Sequence, residues 1–326
     1  MRQAAVFQVA VGRAMNTLKN ILFVLSTGYV FVYFSEHLFW AHVRADDSLK
    51  NWFSAWMVYS LMAYIFLRLV SYFRVKGIWA LFLAGAVFGW LAEGVIVQTA
   101  YDMLPLSISF TGLAWHALLT VWIGWYAVQK ALLSSNIWSS IKLSSLTGLV
   151  YGFWATSWWT EPDGRVSSVL EFSAFTFTTT TLAILAYWLA NWSSSTPMKW
   201  NRWTTIVISG LFALYFLLIA APASPIAVII LPILFGLSYW GLRQNRASEA
   251  EGSLLETLNG RAPLKNYPGL FGLPVTSVLI YALAMSINLT AHANWILYFI
   301  ATPLGFIVFA VSLYKLQRQK RAGAAS

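Results

Sequence analysis

Long apolar stretches separated by short polar segments dominate the chain. A helix needs about 20 mostly apolar residues to cross a bilayer, and ten stretches meet or approach that length. They are residues 21–43, 52–74, 78–100, 110–132, 141–160, 167–191, 203–222, 225–242, 271–289 and 294–315. The eighth is short and contains Pro232, which predicts a kinked or re-entrant span. The pattern predicts an all-α, polytopic integral membrane protein with about ten transmembrane helices.

The distribution of Lys and Arg orients these spans. Cytoplasmic loops of membrane proteins carry an excess of basic residues. If the N-terminus lies inside, all but three of the 21 basic residues fall on the inner side, and the exceptions are Arg44, Lys50 and Arg165. A missed or additional span would move every later loop to the other side of the membrane, and the excess of basic residues on one side would be lost. We therefore predict that both termini lie on the cytoplasmic side of a bacterial-type inner membrane.

The segments outside the spans divide the chain into three parts. Residues 1–20 mix basic and apolar positions, which is typical of an amphipathic helix on the inner membrane surface, with a disordered basic tail as the alternative. Residues 21–315 form a single transmembrane domain. Its inner loop, 243–270, is predicted to contain a short surface helix capped by Ser248 and Glu251. Residues 316–326 form a basic C-terminal tail.

Composition narrows the classes of function. Only 10% of the residues are charged, against about 25% in soluble domains, so no soluble catalytic domain is present. The net charge of +10 is the topology signal of the loops, and no nucleic acid is expected as a partner. The absence of cysteine excludes thiolate metal ligands and cysteine nucleophiles. No GxSxG elbow or Walker motif occurs. The expected partners are the lipid bilayer and a small amphiphilic or lipid ligand.

Ionisable residues inside the spans mark the candidate site, because such groups are costly in hydrocarbon and by default indicate function. Glu93 and His116 lie at similar depth on consecutive spans, so we predict that they contact each other or share a metal or water. Glu36 and Glu171 lie in the same outer layer and are expected to converge on this pair as further catalytic residues. His37 points about 100° away from Glu36 around the helix axis, so Glu36 is favoured.

Small and aromatic residues surround the predicted pair. Gly85 and Gly89 form a small-xxx-small pair that permits close helix packing. The predicted substrate-binding residues are Trp90, Trp115, Tyr101 and Asp102. Packing and an interfacial aromatic belt are the alternative roles for the 18 tryptophans.

Three functions remain open. The first is a membrane-embedded enzyme that acts on a lipid or amphiphilic substrate from the outer leaflet, with Glu93 and His116 as an acid–base pair. A divalent metal bound by Glu93 and His116 is an alternative use of the pair, although HExxH is absent. The second is a ten-helix secondary transporter with a Glu93-centred proton or cation site, and the third is an accessory subunit of a membrane complex. The outer position of the charges favours the enzyme, because carrier sites lie near the midplane.

Overall fold

The computed structural model describes residues 2–161, 164–194, 200–245, 252–289 and 292–323. These residues form helices joined by short connections, and no strand occurs among them. Nine helices within the described ranges are long and apolar enough to cross a membrane. The predicted all-α, polytopic membrane architecture is therefore confirmed.

The long helices follow the predicted stretches closely. In chain order they are α1 (Ala14–Trp40), α2 (Leu49–Tyr72), α3 (Ile78–Ile96), α4 (Leu106–Leu132), α5 (Ile137–Ala155), α6 (Val169–Ser193), α7 (Arg202–Ala223), α8 (Ala227–Gln244), α9 (Leu264–Ser286) and α10 (Ala293–Gln319). Helix α8 continues through Pro232 as one helix. The agreement arises because span length and hydropathy are local properties that the sequence displays directly.

Helix α5 corresponds to the fifth predicted span but is not among the nine, because its serines lower its hydropathy. Its two ends nevertheless lie at opposite ends of the helix bundle. Before α5 begins, the Leu132 and Ser134 carbonyls accept hydrogen bonds from Asn266 at the start of α9. After α5 ends, Trp158 donates to the Phe39 carbonyl at the far end of α1. Helix α5 therefore runs the length of the bundle, packed along α9.

Helix α3 forms the centre of the bundle. Of the residues in its most apolar stretch, 83% are buried. The helix packs against α2, α4, α8 and α10. Its residues are almost all apolar or small, so every face of the helix can be covered by a neighbour. Helix α7 is the opposite case, because only 11% of the residues in its most apolar stretch are buried. It contacts α2 and α3 from one side. An ionisable group on α3 is therefore enclosed, whereas α7 faces lipid.

The two expected terminal boundaries are not breaks in the structure. Arg2–Val32 is one continuous helix, so no helix end separates the predicted N-terminal segment from the first span. The last helix, Ala293–Gly323, likewise continues into the predicted basic tail.

The connection between α8 and α9 contains a short helix among its described residues. The described helix is Leu254–Thr257, with a capping box formed by Ser253 and Glu256. The Leu254 N–H donates to the carbonyl of Val75, which follows the end of α2. This hydrogen bond fixes the short helix to the bundle. The predicted capping residues, Ser248 and Glu251, lie outside the described residues.

Candidate functional site

Three wide π-helical segments carry the ionisable residues of the candidate site. They are Tyr33–His37 in α1, Ala92–Ile96 in α3 and Phe110–Val128 in α4. They contain Glu36, Glu93 and His116 respectively. A π-helical turn adds one residue to the helical repeat and is found frequently at functional sites. The extra residue rotates the following side chains by about 100° around the helix axis, which changes the face on which a polar side chain lies.

Glycines bring α3 and α4 close enough for their polar groups to meet. A Cβ atom on Gly89 would lie 2.0 Å from the Gly112 carbonyl oxygen and 2.9 Å from the His116 Cβ. One turn away, a Cβ atom on Gly85 would lie 3.1 Å from the Ala117 Cα. The predicted close packing through Gly85 and Gly89 is confirmed, and it places His116 directly against α3.

Glu93 and His116 form a direct contact in the interior. His116 Nε2 lies 2.7 Å from Glu93 Oε1, and the two side chains are 3% and 11% exposed, respectively. The Thr99 hydroxyl donates to the second carboxylate oxygen of Glu93, and the Thr111 side chain lies within hydrogen-bonding reach of the same carboxylate. The predicted contact is confirmed, and the chemical role of the pair stays a prediction.

The other ring nitrogen of His116 contacts a serine on α1. Ser35 Oγ lies 2.9 Å from His116 Nδ1 and 3.0 Å from the Thr120 hydroxyl. Ser35 is itself buried. Because a carboxylate only accepts, the neutral imidazole donates to Glu93 through Nε2–H, and Nδ1 can then accept from the Ser35 hydroxyl. The imidazole is therefore fixed in orientation between a carboxylate and a hydroxyl.

Glu36 forms the other end of the polar chain. Its carboxylate accepts hydrogen bonds from the Tyr59 hydroxyl at 2.6 Å and from Trp40 Nε1 at 3.1 Å. The Tyr59–Glu36 bond lies beside the Ser35–His116–Glu93 series, because Ser35 and Glu36 are consecutive residues of α1. Groups with exchangeable protons therefore surround two carboxylates on different helices. The five residues that form this polar chain are Glu36, Tyr59, Ser35, His116 and Glu93.

His37 does not belong to this polar chain. It is buried on the other side of α1, where its ring packs against the rings of Tyr29, Trp52 and Phe175. The structure thus agrees with the preference for Glu36 that followed from helix geometry. The adjacent positions face different surroundings because successive helical residues diverge by about 100°.

Glu171 lies apart from the site. Its carboxylate accepts from the Ser168 N–H at 2.8 Å and from Arg165 at 2.5 Å, and its side chain is 51% exposed. Together with Ser168 it forms the capping box that begins α6. The expectation that Glu171 converges on Glu93 is wrong. The sequence contains the signal for the correct assignment, because Ser168 and Glu171 stand in the Ser-x-x-Glu spacing directly before an apolar run.

The predicted substrate-binding tryptophans are engaged in helix packing. Trp90 is fully buried, and its indole N–H donates to the Ile108 carbonyl at 3.0 Å. The Trp115 indole N–H donates to the Phe34 carbonyl at 3.0 Å. The same indole-to-carbonyl contact to another helix or connection recurs at Trp56, Trp122, Trp154 and Trp158. These contacts favour the packing role for the tryptophans over ligand stacking.

Tyr101 and Asp102 lie in the turn between α3 and α4. The Tyr101 hydroxyl donates to the Gly94 carbonyl at 2.8 Å, which closes the turn beside Glu93. Burial raises the pKa of Tyr101 to about 12, so the phenol stays protonated at neutral pH. Asp102 is exposed at the surface of the turn. Tyr101 thus borders the site, whereas Asp102 faces away from the polar chain.

The arrangement supports proton transfer rather than metal binding. Within the part of the chain that the structure describes, no three His, Asp or Glu side chains form a group suited to a metal ion. Glu93 and His116 supply two charged or imidazole ligands, where catalytic zinc sites typically use three. Their remaining neighbours are hydroxyl groups, which carry protons along hydrogen bonds.

The hydroxyl partners of the site were not predicted from the sequence. These partners are Ser35, Tyr59, Thr99, Thr111 and Thr120. Hydroxyl groups inside spans commonly bond to carbonyls of their own helix, so composition gives no means of recognising the ones that reach another helix. The position of Ser35 directly before Glu36 was the one available hint.

Comparison of the chain with models of protein families, with curated proteins and with solved structures finds no match. The all-helical membrane fold does not define a function by itself, because one architecture supports many activities. The function therefore has to be argued from the chemistry of the Glu93 site.

Proposed function

We propose that the chain crosses a bacterial-type inner membrane ten times, with both termini in the cytoplasm. The excess of basic residues on one side supports this orientation. The position of α5 supports the count, because its two ends contact opposite ends of the bundle. With ten crossings, the Glu93 site lies in the outer half of the membrane.

We further propose that the protein is a membrane-embedded enzyme in which Glu93 and His116 act as an acid–base pair. The observation that carries this proposal is the 2.7 Å contact between His116 Nε2 and Glu93 Oε1 in a buried environment. A carboxylate that holds an imidazole by one nitrogen leaves the other nitrogen to exchange a proton with a reacting group. Buried polar pairs also occur as structural locks, and activity measurements distinguish the two roles.

A lipid or other amphiphile is the substrate class that fits the surroundings. Helix α7 packs over α2 and α3, which carry Tyr59 and Glu93, and its other faces are open to lipid. A groove of about 900 Å³ separates α7 from α1 and α2 over part of their length, with Val24, Leu61 and Ile208 among its lining residues. The loosely packed α7 and this groove support a ligand that approaches the bundle from within the bilayer.

Lipid turnover in proteoliposomes tests the enzyme. The purified protein is reconstituted in a bacterial polar lipid extract, and the lipids are followed by mass spectrometry. We expect Glu93→Gln and His116→Ala to reduce turnover by at least about 100-fold, the usual size of an acid–base contribution. Glu171→Gln is the matched control and should match the wild type. Wild-type turnover by Glu93→Gln would contradict the proposal.

A proton-coupled transporter is the second candidate, and the exchangeable groups that surround Glu36 and Glu93 favour it. The same proteoliposomes separate it from the enzyme. An imposed pH gradient would drive uptake of isotope-labelled metabolites from a cell extract, with dependence on Glu93 and with unchanged lipids. Lipid turnover without such uptake would exclude transport.

A further inference from the structure

Three side chains at the site stand in the order of a hydrolase triad. Ser35 Oγ is 2.9 Å from His116 Nδ1, and His116 Nε2 is 2.7 Å from Glu93 Oε1. A hydroxyl, an imidazole and a carboxylate joined by two hydrogen bonds form the arrangement that activates serine nucleophiles on unrelated folds. Such a triad is recognised by geometry and not by chain order, which explains why no sequence motif reveals it.

We propose that Ser35 is the nucleophile of a covalent acyl-transfer step on an ester of an amphiphile. This inference rests on the proposed function of Glu93 and His116. Among the described hydroxyl groups at the site, Ser35 is the one bonded directly to the His116 ring. Thr120 reaches the ring only through Ser35, and Thr99 contacts the carboxylate instead. Ser35 is therefore the hydroxyl from which His116 can remove a proton.

The step balances with water or a substrate alcohol as the second reactant. Ser35 Oγ attacks the ester carbonyl carbon and its proton passes to His116 Nδ1. The bond from the carbonyl carbon to the leaving alcohol oxygen breaks, and His116 returns the proton to that oxygen. Water or an acceptor alcohol then attacks the carbonyl carbon of the acyl–Ser35 ester, and its proton passes to His116. The bond from that carbon to Ser35 Oγ breaks, and His116 returns the proton to Oγ, which restores the Ser35 hydroxyl. Glu93 stabilises the imidazolium that forms in each half.

The surroundings of Ser35 fix its hydroxyl beside the imidazole. The Thr120 hydroxyl lies 3.0 Å from Ser35 Oγ, so Ser35 has a polar partner on each side. Phe88 packs edge-on against His116 at a ring separation of 5.3 Å, which excludes water from one side of the imidazole. Ser35 is only 5% exposed, so the acyl group reaches it only when neighbouring helices move apart.

Covalent labelling with an alkyl fluorophosphonate tests the nucleophile. The serine oxygen attacks phosphorus and fluoride leaves, so the adduct stays on the protein and can be mapped by mass spectrometry. We expect one adduct, on Ser35, with labelling at least about 100-fold slower in His116→Ala. Ser26→Ala is the matched control, because Ser26 is similarly buried on the same helix and bonds to the Leu22 carbonyl of that helix. It should label like the wild type.

A cysteine variant supplies a readout that does not require turnover. The chain contains no cysteine, so Ser35→Cys introduces a unique thiol. Contact with His116 should favour its thiolate, and alkylation by iodoacetamide should then continue at pH values well below the ordinary thiol pKa of about 8.5. Ser26→Cys, buried without an imidazole partner, should react slowly and only at alkaline pH.

The outcomes separate this inference from the proposed function. No adduct on Ser35, or wild-type lipid turnover by a folded Ser35→Ala variant, would remove Ser35 as the nucleophile. If Glu93→Gln still abolished turnover in that case, the acid–base enzyme would stand and His116 would act directly on water or substrate. If Glu93→Gln also retained full turnover, both proposals would fail.

Discussion

His116 has one partner at each ring nitrogen, so removing either partner leaves a buried polar group unsatisfied. Replacing Glu93 with Leu should destabilise the protein by about 1–3 kcal/mol, the usual cost of leaving a buried polar group without its hydrogen bond. The double variant Glu93→Leu, His116→Leu should be less destabilised than the sum of the single variants, with a coupling of about 1–3 kcal/mol. Thermal unfolding in detergent measures the cycle.

The control cycle pairs Glu93 with His37, which is buried but packs against aromatic rings instead of the carboxylate. The effects of Glu93→Leu and His37→Leu should add, because the two side chains share no partner. Equal coupling in both cycles would show that the first result reflects general loosening of the bundle rather than the Glu93–His116 contact.

Asp47 fixes the connection between α1 and α2 and predicts a pH dependence. Burial alone would raise the pKa of Asp47, but hydrogen bonds from the backbone N–H and the guanidinium of Arg44 outweigh it and lower that pKa. A group with a lowered pKa stabilises the fold above its unfolded pKa, and the contribution disappears as the pH falls through the folded value. Asp47→Asn should therefore lower stability at neutral pH by roughly 1 kcal/mol.

The difference between Asp47→Asn and the wild type should vanish at strongly acidic pH, where both side chains are neutral. Asp46→Asn is the control, because Asp46 is exposed and lies 3.8 Å from Arg44, where an ion pair contributes little. Thermal unfolding measured across acidic and neutral buffers checks both variants. A constant difference between Asp47→Asn and the wild type at every pH would contradict the assignment.

At the scale of helices, the contact of α3 with α4 depends on the space at Gly89. A methyl group there would collide with the Gly112 carbonyl, and neither backbone can yield without separating the helices. Gly89→Ala should destabilise the protein by about 1–3 kcal/mol and weaken lipid turnover, because it displaces His116 from Glu93. Gly210→Ala in α7 is the matched control, since a Cβ atom added at Gly210 would have no other atom within 4 Å. It should be neutral or slightly stabilising, and equal losses in thermal stability would contradict this account.

The helices could be predicted from the sequence because their cause is local. About 20 apolar residues form a helix in a bilayer whatever they pack against. Helix ends were less certain, and α1 shows why. The polar residues before residue 21 suggested a separate element, but nothing there ends a helix, so Arg2–Val32 is continuous. A change in polarity marks where a helix leaves the hydrocarbon and does not mark where it stops.

The candidate site was only partly predictable because its contacts join distant parts of the chain. Glu93 and His116 were accessible to prediction, since a short turn makes consecutive spans neighbours. The contact between Ser35 and His116 spans 81 residues and depends on the rotation that the π-helical segments introduce. Depth in the membrane suggested Glu171 as well, but depth does not specify which face of a helix a side chain lies on.

At the scale of the whole molecule, the ten-span topology makes one experiment decisive for the orientation and for α5. Because the chain has no native cysteine, single cysteines report the side of each loop with a membrane-impermeant thiol reagent. Val166→Cys, just after Arg165, should react from outside in intact cells. Asn136→Cys before α5 and Asn259→Cys near Glu256 should react only after the membrane is opened. All three positions are exposed. A cysteine that fails to react in intact cells is therefore protected by the membrane and not by burial in the protein.

Each pair of positions tests a different part of the topology. Residues 136 and 166 flank α5, so reaction of both from the same side would show that α5 does not cross the membrane. Residues 166 and 259 are separated by three further long helices, α6 to α8, and must lie on opposite sides if each crosses once. If all three positions react on the predicted sides, the Glu93–His116 pair lies in the outer half of the membrane. The same pattern in the Glu93→Gln variant would show that this substitution does not change the insertion. Access of Asn259→Cys from outside, with Val166→Cys protected, would invert the molecule and move the site to the cytoplasmic half.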